Sequence, residues 1–251
     1  MVETICGKYN LNGIIGRGKF GIVMKATDKA NKEFAVKFAS SELFCLRHEA
    51  MILNYLNTKK CKNIPLIHWY GLHCKIPCIV IPYYKCSLSN INISNLSLMN
   101  QMLTIIKNVH DLFVIHRDIK PENFMLNHRD EVVLIDFGLA TFSEDVDNEL
   151  ENKKVEKVKK DITGNIIFAS PNIHCVKKAR KIDDVISIAY VYIYLCNECN
   201  LPWMQLEDNN RKIENIYDLK KIENIECIVD KTSKIMSFLR RLYNGILTYN
   251  V

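Results

Sequence analysis

Two short stretches in the middle of the chain decide how the sequence is interpreted. The first is His116-Arg117-Asp118-Ile119-Lys120-Pro121-Glu122-Asn123, and the second, shortly after it, is Leu134-Ile135-Asp136-Phe137-Gly138. Either string alone is compatible with a charged turn on the surface. Their occurrence in this order, behind the upstream features described next, makes that explanation much weaker.

A glycine-rich stretch lies near the N-terminus, between two predicted strands. It reads Gly16-Arg17-Gly18-Lys19-Phe20-Gly21-Ile22-Val23. Glycines let backbone N–H groups approach phosphate oxygens without an obstructing Cβ, although glycine clusters also form plain hairpin turns. A dinucleotide-binding fold is disfavoured, because its glycine loop opens a helix rather than a second strand. Downstream, Lys37 ends the apolar stretch Phe34-Ala35-Val36, where an isolated lysine is usually a solvated edge charge.

Apolar periodicity predicts a β-rich beginning and a mainly helical remainder. The predicted strands are Tyr9–Gly16, Ile22–Ala26, Glu33–Phe38, Leu66–Tyr70, Cys78–Pro82 and Glu131–Ile135. The predicted helices are Leu43–Leu56, Leu96–Leu112, Val185–Cys196 and Lys231–Leu247. The predicted fold class is therefore α+β, with a small β-rich lobe joined near residues 81–85 to a larger helical lobe.

The composition is that of an ordinary globular protein. The chain has 251 residues, of which 48% are hydrophobic and 25% charged, and this excludes collagen-like, mucin-like and wholly disordered classes. The net charge of +6 is compatible with an acidic substrate, a phosphate ligand or a nucleic acid. The lysine-rich run at residues 152–160 has no interleaved aromatic residues, so a solvated loop is favoured over a nucleic-acid site.

The ten cysteines and the N-terminal sequence indicate in which cellular compartment the protein is expected. No charged start followed by an apolar export signal is found, so we expect an intracellular protein, cytoplasmic or nuclear, with reduced thiols. The pair Cys196 and Cys199 matches no zinc-finger spacing, which favours plain thiols over a metal site. The apolar stretch Val185–Cys196 is shorter than the ~20 residues that cross a bilayer, so it predicts a buried helix and no membrane partner.

With the glycine loop, the lysine and the two central strings in this order, the chain resembles the protein-kinase family from about Tyr9 to Trp203. The resemblance implies one protein kinase domain over residues 1–251, with an N-lobe of about residues 1–82 and a C-lobe of about residues 85–251 that has a shortened C-terminus. It also implies ATP and Mg²⁺ as cofactors.

The resemblance further implies which residues bind the nucleotide. Lys37 would hold the α- and β-phosphates with Glu49 as its orienting anion, the alternative being that Glu49 is a surface residue without a partner. Pro82 has no N–H, so only its carbonyl could accept from adenine, while Tyr84 keeps its N–H as a donor. The residues implied in cofactor binding are Gly16, Gly18, Gly21, Val23, Ala35, Lys37, Glu49, Ile81 (the gatekeeper position), Pro82, Tyr84 and Met125.

The catalytic and metal-binding roles follow from the same resemblance. Asp118 would accept or orient the proton of the substrate hydroxyl, and Lys120 would steady the γ-phosphate, as in serine/threonine kinases. Asn123 and Asp136 would supply the oxygen ligands that Mg²⁺ prefers. The resemblance therefore implies a phosphotransferase with protein substrates that bear Ser or Thr.

A later series of motifs is similar to the casein kinase 1 superfamily, which includes the vaccinia-related kinases. The Ala-Pro-Glu of most kinases is missing, and the chain instead reads Ser170-Pro171-Asn172, then Asp183-Asp184, then Leu201-Pro202-Trp203. A generic serine/threonine kinase is the alternative. By resemblance Asp184 would brace the catalytic loop, unless it is a simple helix N-cap.

Two departures from the family pattern leave alternatives open. Lys181-Ile182 replaces a double arginine thought to favour acidic or phosphorylated substrates, so that preference is undecided. Asn165 stands where the family has a threonine that contacts the catalytic aspartate, and this motivates a pseudokinase acting as a nucleotide- or partner-binding scaffold. The presence of Lys37, Asp118, Asn123 and Asp136 together favours an active enzyme.

Overall fold

The structure is a computed structural model. It describes residues 3–18, 21–39, 43–91, 96–143, 164–175, 178–206, 213–226 and 233–250. The chain divides into two compact units, the first formed by Met1–Cys86 with Met125–Leu139 and the second by Ser87–Phe124 with Ala140–Val251. The charged run at residues 144–160 lies outside the described residues.

The elements follow the predicted order of strands first and helices later. The strands are β1 (Thr4–Ile5), β2 (Tyr9–Gly18), β3 (Gly21–Thr27), β4 (Glu33–Ala39), β5 (Trp69–His73), β6 (Ile76–Pro82), β7 (Cys86–Ser87), β8 (Val114–Ile115), β9 (Phe124–Leu126), β10 (Val132–Leu134) and β11 (Thr141–Phe142). The helices are α1 (Leu43–Thr58), α2 (Leu96–His110), α3 (Pro171–His174), α4 (Lys181–Cys196), α5 (Ile213–Leu219), α6 (Ile222–Glu226) and α7 (Ser233–Tyr243).

The first unit is built on an antiparallel sheet in the strand order β1-β2-β3-β4-β6-β5. Side chains alternate between the two faces of a strand, and Phe34 and Val36 of β4 lie on the face that carries the apolar core. The buried members of this core are Ile5, Tyr9, Ala26, Phe34, Val36, Cys78 and Val80. The β-branched and aromatic residues that predicted the strands thus form the core of the sheet.

Helix α1 completes the first unit. Its buried residues Leu46, Ile52, Leu53 and Leu56 recur at helical spacing and form one apolar face, as the sequence pattern predicts. The helix packs against β6 and against the short turn Phe137–Leu139 that follows β10. This packing brings a residue of α1 next to the Asp136 string.

The second unit is mainly helical and is centred on α4. The predicted buried helix is confirmed, and it begins earlier than expected, at Lys181. From Ile182 to Ile193 every residue of α4 is buried, and α2 and α7 pack against it. A helix long and apolar enough to span a membrane is not found in the described ranges.

Several predicted boundaries differ from the structure by a few residues, and three of them have a clear physical reason. The strand expected at Leu66–Tyr70 is β5, Trp69–His73, because pairing with β6 begins at Trp69 while Leu66 is exposed. Helix α2 ends at His110 rather than Leu112, and Phe113 just beyond has a φ of +57°. The last helix ends at Tyr243 rather than Leu247, because Gly245 adopts a φ of +81° that ends helices, and its predicted start at Lys231 lies outside the described residues.

Candidate active site

One face of the first unit's sheet collects several of the predicted nucleotide-binding residues. Lys37 of β4 pairs directly with Val23 of β3, and Ala35, two residues before it, pairs with Ile81 of β6. Directly paired residues and residues two apart on a strand share a face. Val23, Ala35, Lys37 and Ile81 therefore lie on one face, opposite the apolar core formed by Phe34 and its neighbours.

The glycine-rich stretch forms the end of the β2–β3 hairpin. Gly16 pairs with Val23 and Gly18 with Gly21, while residues 19–20 lie outside the described part of the chain. Gly21 has a φ of +140°, a backbone conformation that a side chain strongly disfavours. The stretch therefore joins two paired strands rather than opening a helix, as the sequence predicts.

The segment after β6 is held on both sides of Tyr84. The N–H of Tyr83 donates to the carbonyl of Glu33 at 3.4 Å, and the N–H of Lys85 donates to the carbonyl of Leu126 at 2.8 Å. The second bond places the segment beside β9, the strand that carries the half-buried Met125. Pro82, Tyr84 and Met125 thus all belong to the first unit.

Lys37 is the centre of an ion-pair cluster within the first unit. Its Nζ lies 2.7 Å from Oε2 of Glu49 and 2.8 Å from Oδ1 of Asp136. Glu49 comes from α1, and its carboxylate also accepts from the backbone N–H of Phe137. The predicted partnership of Lys37 and Glu49 is therefore present in the structure, and Asp136 joins it.

The ammonium of Lys37 and the carboxylates of Glu49 and Asp136 lie close enough to shift the pKa values of Lys37 and Glu49. Burial by itself would lower the pKa of Lys37, but the carboxylates of Glu49 and Asp136 outweigh it and raise that pKa, so the ammonium stays charged. Burial raises the pKa of Glu49, and the positive charge of Lys37 opposes this change. Asp136 is held with a φ of +63°, an unfavourable backbone conformation of the kind that concentrates at functional sites.

The second predicted group lies within the second unit, in residues 116–123 after β8. We call this segment the catalytic loop, after the role that the resemblance implies for Asp118. The Nζ of Lys120 contacts Oδ2 of the buried Asp118 at 2.6 Å. The side-chain N–H₂ of Asn123 donates to the backbone oxygen and to Oδ2 of Asp118, at 2.8 and 3.1 Å. Because its nitrogen makes these bonds, the amide oxygen of Asn123 is the atom left for a cation.

Asp184 braces this loop from the start of α4, as the resemblance implied. Its two carboxylate oxygens accept the backbone N–H groups of His116 and Arg117 at 2.8 and 2.9 Å. A ring nitrogen of His110 lies 2.9 Å from the same carboxylate. Burial would raise the pKa of Asp184, but the bond from His110 and the nearby N–H groups lower it below its ordinary value.

The chain returns to the catalytic loop at Gly164. A Cβ built on this glycine would lie 2.5 Å from the carbonyl oxygen of Arg117 and 3.6 Å from a carboxylate oxygen of Asp118, and its φ is +93°. Only glycine fits this approach. The next residue, Asn165, uses its side-chain oxygen to accept from the N–H of Ile167 at 2.8 Å, which stabilises a local turn.

Two of the three late motifs contact each other directly, and the third binds the segment just before Ser170. Asp183 accepts from the hydroxyl of Ser170 at 2.7 Å and from the side-chain amide of Asn172 at 2.9 Å. The indole N–H of Trp203 donates to the carbonyl of Ile167 at 2.8 Å. The adjacent aspartates therefore have different tasks, since Asp183 holds the segment around Ser170 and Asp184 holds the catalytic loop.

The structure thus brings the predicted residues together in two groups, one in each unit. Sequence reasoning missed His110, whose only signal was a polar side chain at the end of an apolar helix pattern. It also missed the close approach of Gly164, which a lone glycine does not reveal. Both residues act on the backbone around Asp118.

The comparison with known families agrees with this geometry. The family model of the protein kinase domain matches residues 9–251. The match includes the glycine hairpin, the Lys37 cluster and the catalytic loop. The α+β prediction is confirmed, and the chain belongs to the protein kinase domain family.

Proposed function

We propose that this protein is an active serine/threonine kinase that transfers the γ-phosphate of Mg-ATP to protein substrates. The observation that carries the proposal is the position of the Lys37 ammonium between Glu49 and Asp136, at 2.7 and 2.8 Å. Active kinases require the pair formed by this lysine and the helix glutamate.

The residues present fit the implied cofactor. The charged Lys37 would hold phosphate oxygens, and the carboxylate of Asp136 with the amide oxygen of Asn123 would hold Mg²⁺, a cation that takes oxygen ligands. Val23, Ala35 and Ile81 would contact the base from one sheet face. When bound, Mg-ATP supplies the phosphoryl group that is transferred.

Asp118 and Lys120 would act on the substrate side. The buried carboxylate of Asp118 would accept or orient the proton of a serine or threonine hydroxyl. Lys120, 2.6 Å from that carboxylate, would neutralise charge that develops on the transferred group. A lysine at this position supports Ser/Thr rather than Tyr specificity.

We also place the protein in the casein kinase 1 branch. The branch motifs Ser170-Pro171-Asn172 and Asp183-Asp184 are joined directly by hydrogen bonds, and Trp203 binds the carbonyl of Ile167 just before them. These contacts give the occurrence of the motifs in one chain a structural basis. A preference for acidic or phosphorylated substrates depends on the cations at the start of α4 rather than on these motifs. Arg180 lies 3.9 Å from Asp183, and Lys181 lies over the ring of Phe113, so both cations already have partners within the protein.

The alternative is a pseudokinase that binds nucleotide or a partner without catalysis. The observation that favours it is Asn165, whose side-chain oxygen is engaged in its own turn. Nucleic-acid binding through residues 152–160 is a weaker candidate, and that run lies outside the described residues.

Phosphate transfer decides between these functions. Purified full-length protein is incubated with Mg²⁺, labelled ATP and either casein or a basic protein, and the labelled amino acids are identified. We expect label on serine and threonine, and an Asp118→Asn variant should show none. Transfer no greater than that of the variant, together with retained nucleotide binding in a thermal-shift assay, would establish the pseudokinase instead.

A further inference from the structure

Lys220 is a lysine in an unusual environment. It follows α5 in the second unit and is completely buried. Its neighbour Lys221 is exposed and pairs with Asp218 at 2.8 Å, as surface lysines commonly do. Burial lowers the pKa of Lys220 well below its ordinary value, so placing an amine here has a cost that its contacts must offset.

The amine of Lys220 is saturated with partners. Its Nζ donates to the carbonyl oxygens of Ile166 and Ala169 at 2.7 and 2.6 Å, and it lies 3.1 Å from Nε2 of His174. An ammonium donates three hydrogen bonds, and a neutral amine donates two and accepts one, so either form of the side chain can satisfy these three partners. The ring centroids of Tyr190 and Trp203 also lie 5.4 and 5.3 Å from the amine.

All three hydrogen-bond partners belong to one segment, residues 164–174. This segment starts at Gly164, which leaves no room for a Cβ beside Arg117 and Asp118, and it ends in α3. Ile167 between the two held carbonyls is held in turn by Trp203. Lys220 therefore fixes the backbone of the segment that packs against the catalytic loop.

Other contacts position Lys220 itself. The hydroxyl of Tyr243 donates to the backbone oxygen of Lys220 at 2.7 Å and contacts the hydroxyl of Tyr190. The main chain of Lys220 is thus hydrogen-bonded to α7, and its side chain is hydrogen-bonded to residues 164–174. The main-chain and the side-chain hydrogen bonds of Lys220 can be removed separately by mutation.

We propose that Lys220 is a positioning residue, whose amine fixes residues 164–174 beside the catalytic loop and so governs turnover of protein substrates without contributing to nucleotide binding. The inference rests on the proposed kinase function. The proposed role, however, consists of a restraint on the backbone of residues 164–174. That restraint can be measured directly, even in a protein that transfers no phosphate.

The test compares Lys220→Met with Lys221→Met and Tyr243→Phe in the full chain. Methionine keeps the length and apolar stem of Lys220 but donates no hydrogen bond. We expect Lys220→Met to lower kcat for casein at least tenfold with the KM for ATP changed less than twofold. Amide hydrogen exchange across residues 164–174 should rise in Lys220→Met, whereas Lys221→Met should match the wild type and Tyr243→Phe should affect α7 instead.

The exchange measurement separates failure of this inference from failure of the proposed function. If the wild type transfers no phosphate, the kinase proposal fails, and a selective rise in exchange still supports the restraint. Unchanged exchange in Lys220→Met, or a KM for ATP that rises as far as kcat falls, overturns the inference. If Lys220→Met does not fold, His174→Leu is tested instead, because it removes one partner of the amine. We expect a smaller change in exchange and kcat in the same direction, and an unchanged exchange rate in His174→Leu would also overturn the inference.

Discussion

The imidazole of His110 and the carboxylate of Asp184 meet at 2.9 Å, with both side chains almost fully buried. The same carboxylate accepts the N–H groups of His116 and Arg117, which immediately precede Asp118. The position of Asp118 therefore depends on a pair of residues that lie 74 positions apart in the sequence.

Asp184→Asn should impair both stability and activity. An amide offers one acceptor where the carboxylate offers two, so its N–H₂ would face a backbone N–H or His110. Breaking a buried charged contact costs roughly 3–5 kcal/mol, and the free energy of unfolding should fall by an amount near the low end of that range. Denaturant titration measures it, with exposed Asp130→Asn as the control; equal losses in the two variants would contradict the bracing role.

Acid should weaken the same contact. The pKa of Asp184 is lower in the folded protein than in the unfolded chain, where it is about 3.9. Its contribution is therefore fully present above the unfolded value and is lost as the pH falls through the lower, folded value. The difference in free energy of unfolding between wild type and Asp184→Asn should be constant above about pH 5 and shrink towards pH 3. A difference that grows on acidification would show that the direction is wrong.

Lys37→Met should abolish phosphate transfer and destabilise the first unit. The variant leaves the buried Glu49 without its ammonium partner, which costs about 3 kcal/mol. Adding Glu49→Gln should restore part of the melting temperature but none of the activity, because the phosphate-binding charge is still missing. Lys32→Met, at an exposed position just before the same strand, is the control, and it should leave both quantities unchanged. Transfer that survives in Lys37→Met would falsify the assigned role.

Gly164→Ala should reduce the rate of phosphate transfer far more than Gly245→Ala does. The new Cβ would lie 2.5 Å from the Arg117 carbonyl, so the catalytic loop must shift, and misplacement of about 1 Å can cost roughly 100-fold in rate. Gly245→Ala introduces a comparable backbone strain, at φ +81°, with nothing within 4 Å of the added carbon. Steady-state kinetics of both variants distinguish the effect of backbone strain, which both share, from the effect of the close contact with Arg117, which only Gly164→Ala introduces. Similar kcat values in the two would contradict the close approach.

Asp136→Asn should uncouple nucleotide binding from Mg²⁺. Asparagine can still accept from Lys37 but lacks the negative charge that favours a divalent cation. We expect kcat to fall roughly 100-fold and the extra thermal stabilisation by Mg²⁺ over ATP with EDTA to disappear. EDTA should likewise stop transfer by the wild type. Asp111→Asn, an exposed surface partner of Lys107, is the matched control and should keep its response to Mg²⁺.

Much of the fold and the identity of the candidate site residues could be predicted from local sequence. Apolar alternation predicts the strands because neighbouring side chains on a strand face opposite sides, and helical spacing predicts α1 and α4 because one face of each is buried. The order of the glycine hairpin, Lys37, Asp118 and Asp136 indicates the family because these residue types carry the required chemistry. Errors occur at boundaries such as β5, where pairing with β6 rather than composition decides the first residue.

The contacts that hold the site join residues far apart in the chain, and only the tertiary structure decides them. Lys37 and Asp136 meet across 99 positions, and no local pattern encodes that distance. Lys220 and Lys221 make the point most clearly, since they are adjacent and chemically identical. One is buried against backbone carbonyls and aromatic rings, while the other is a solvated surface charge, because the packing around α5 admits only one of them. The sequence by itself determined which chemical groups this protein kinase domain possesses. Packing decided which of those groups are desolvated, and therefore which of them position the backbone beside Asp118.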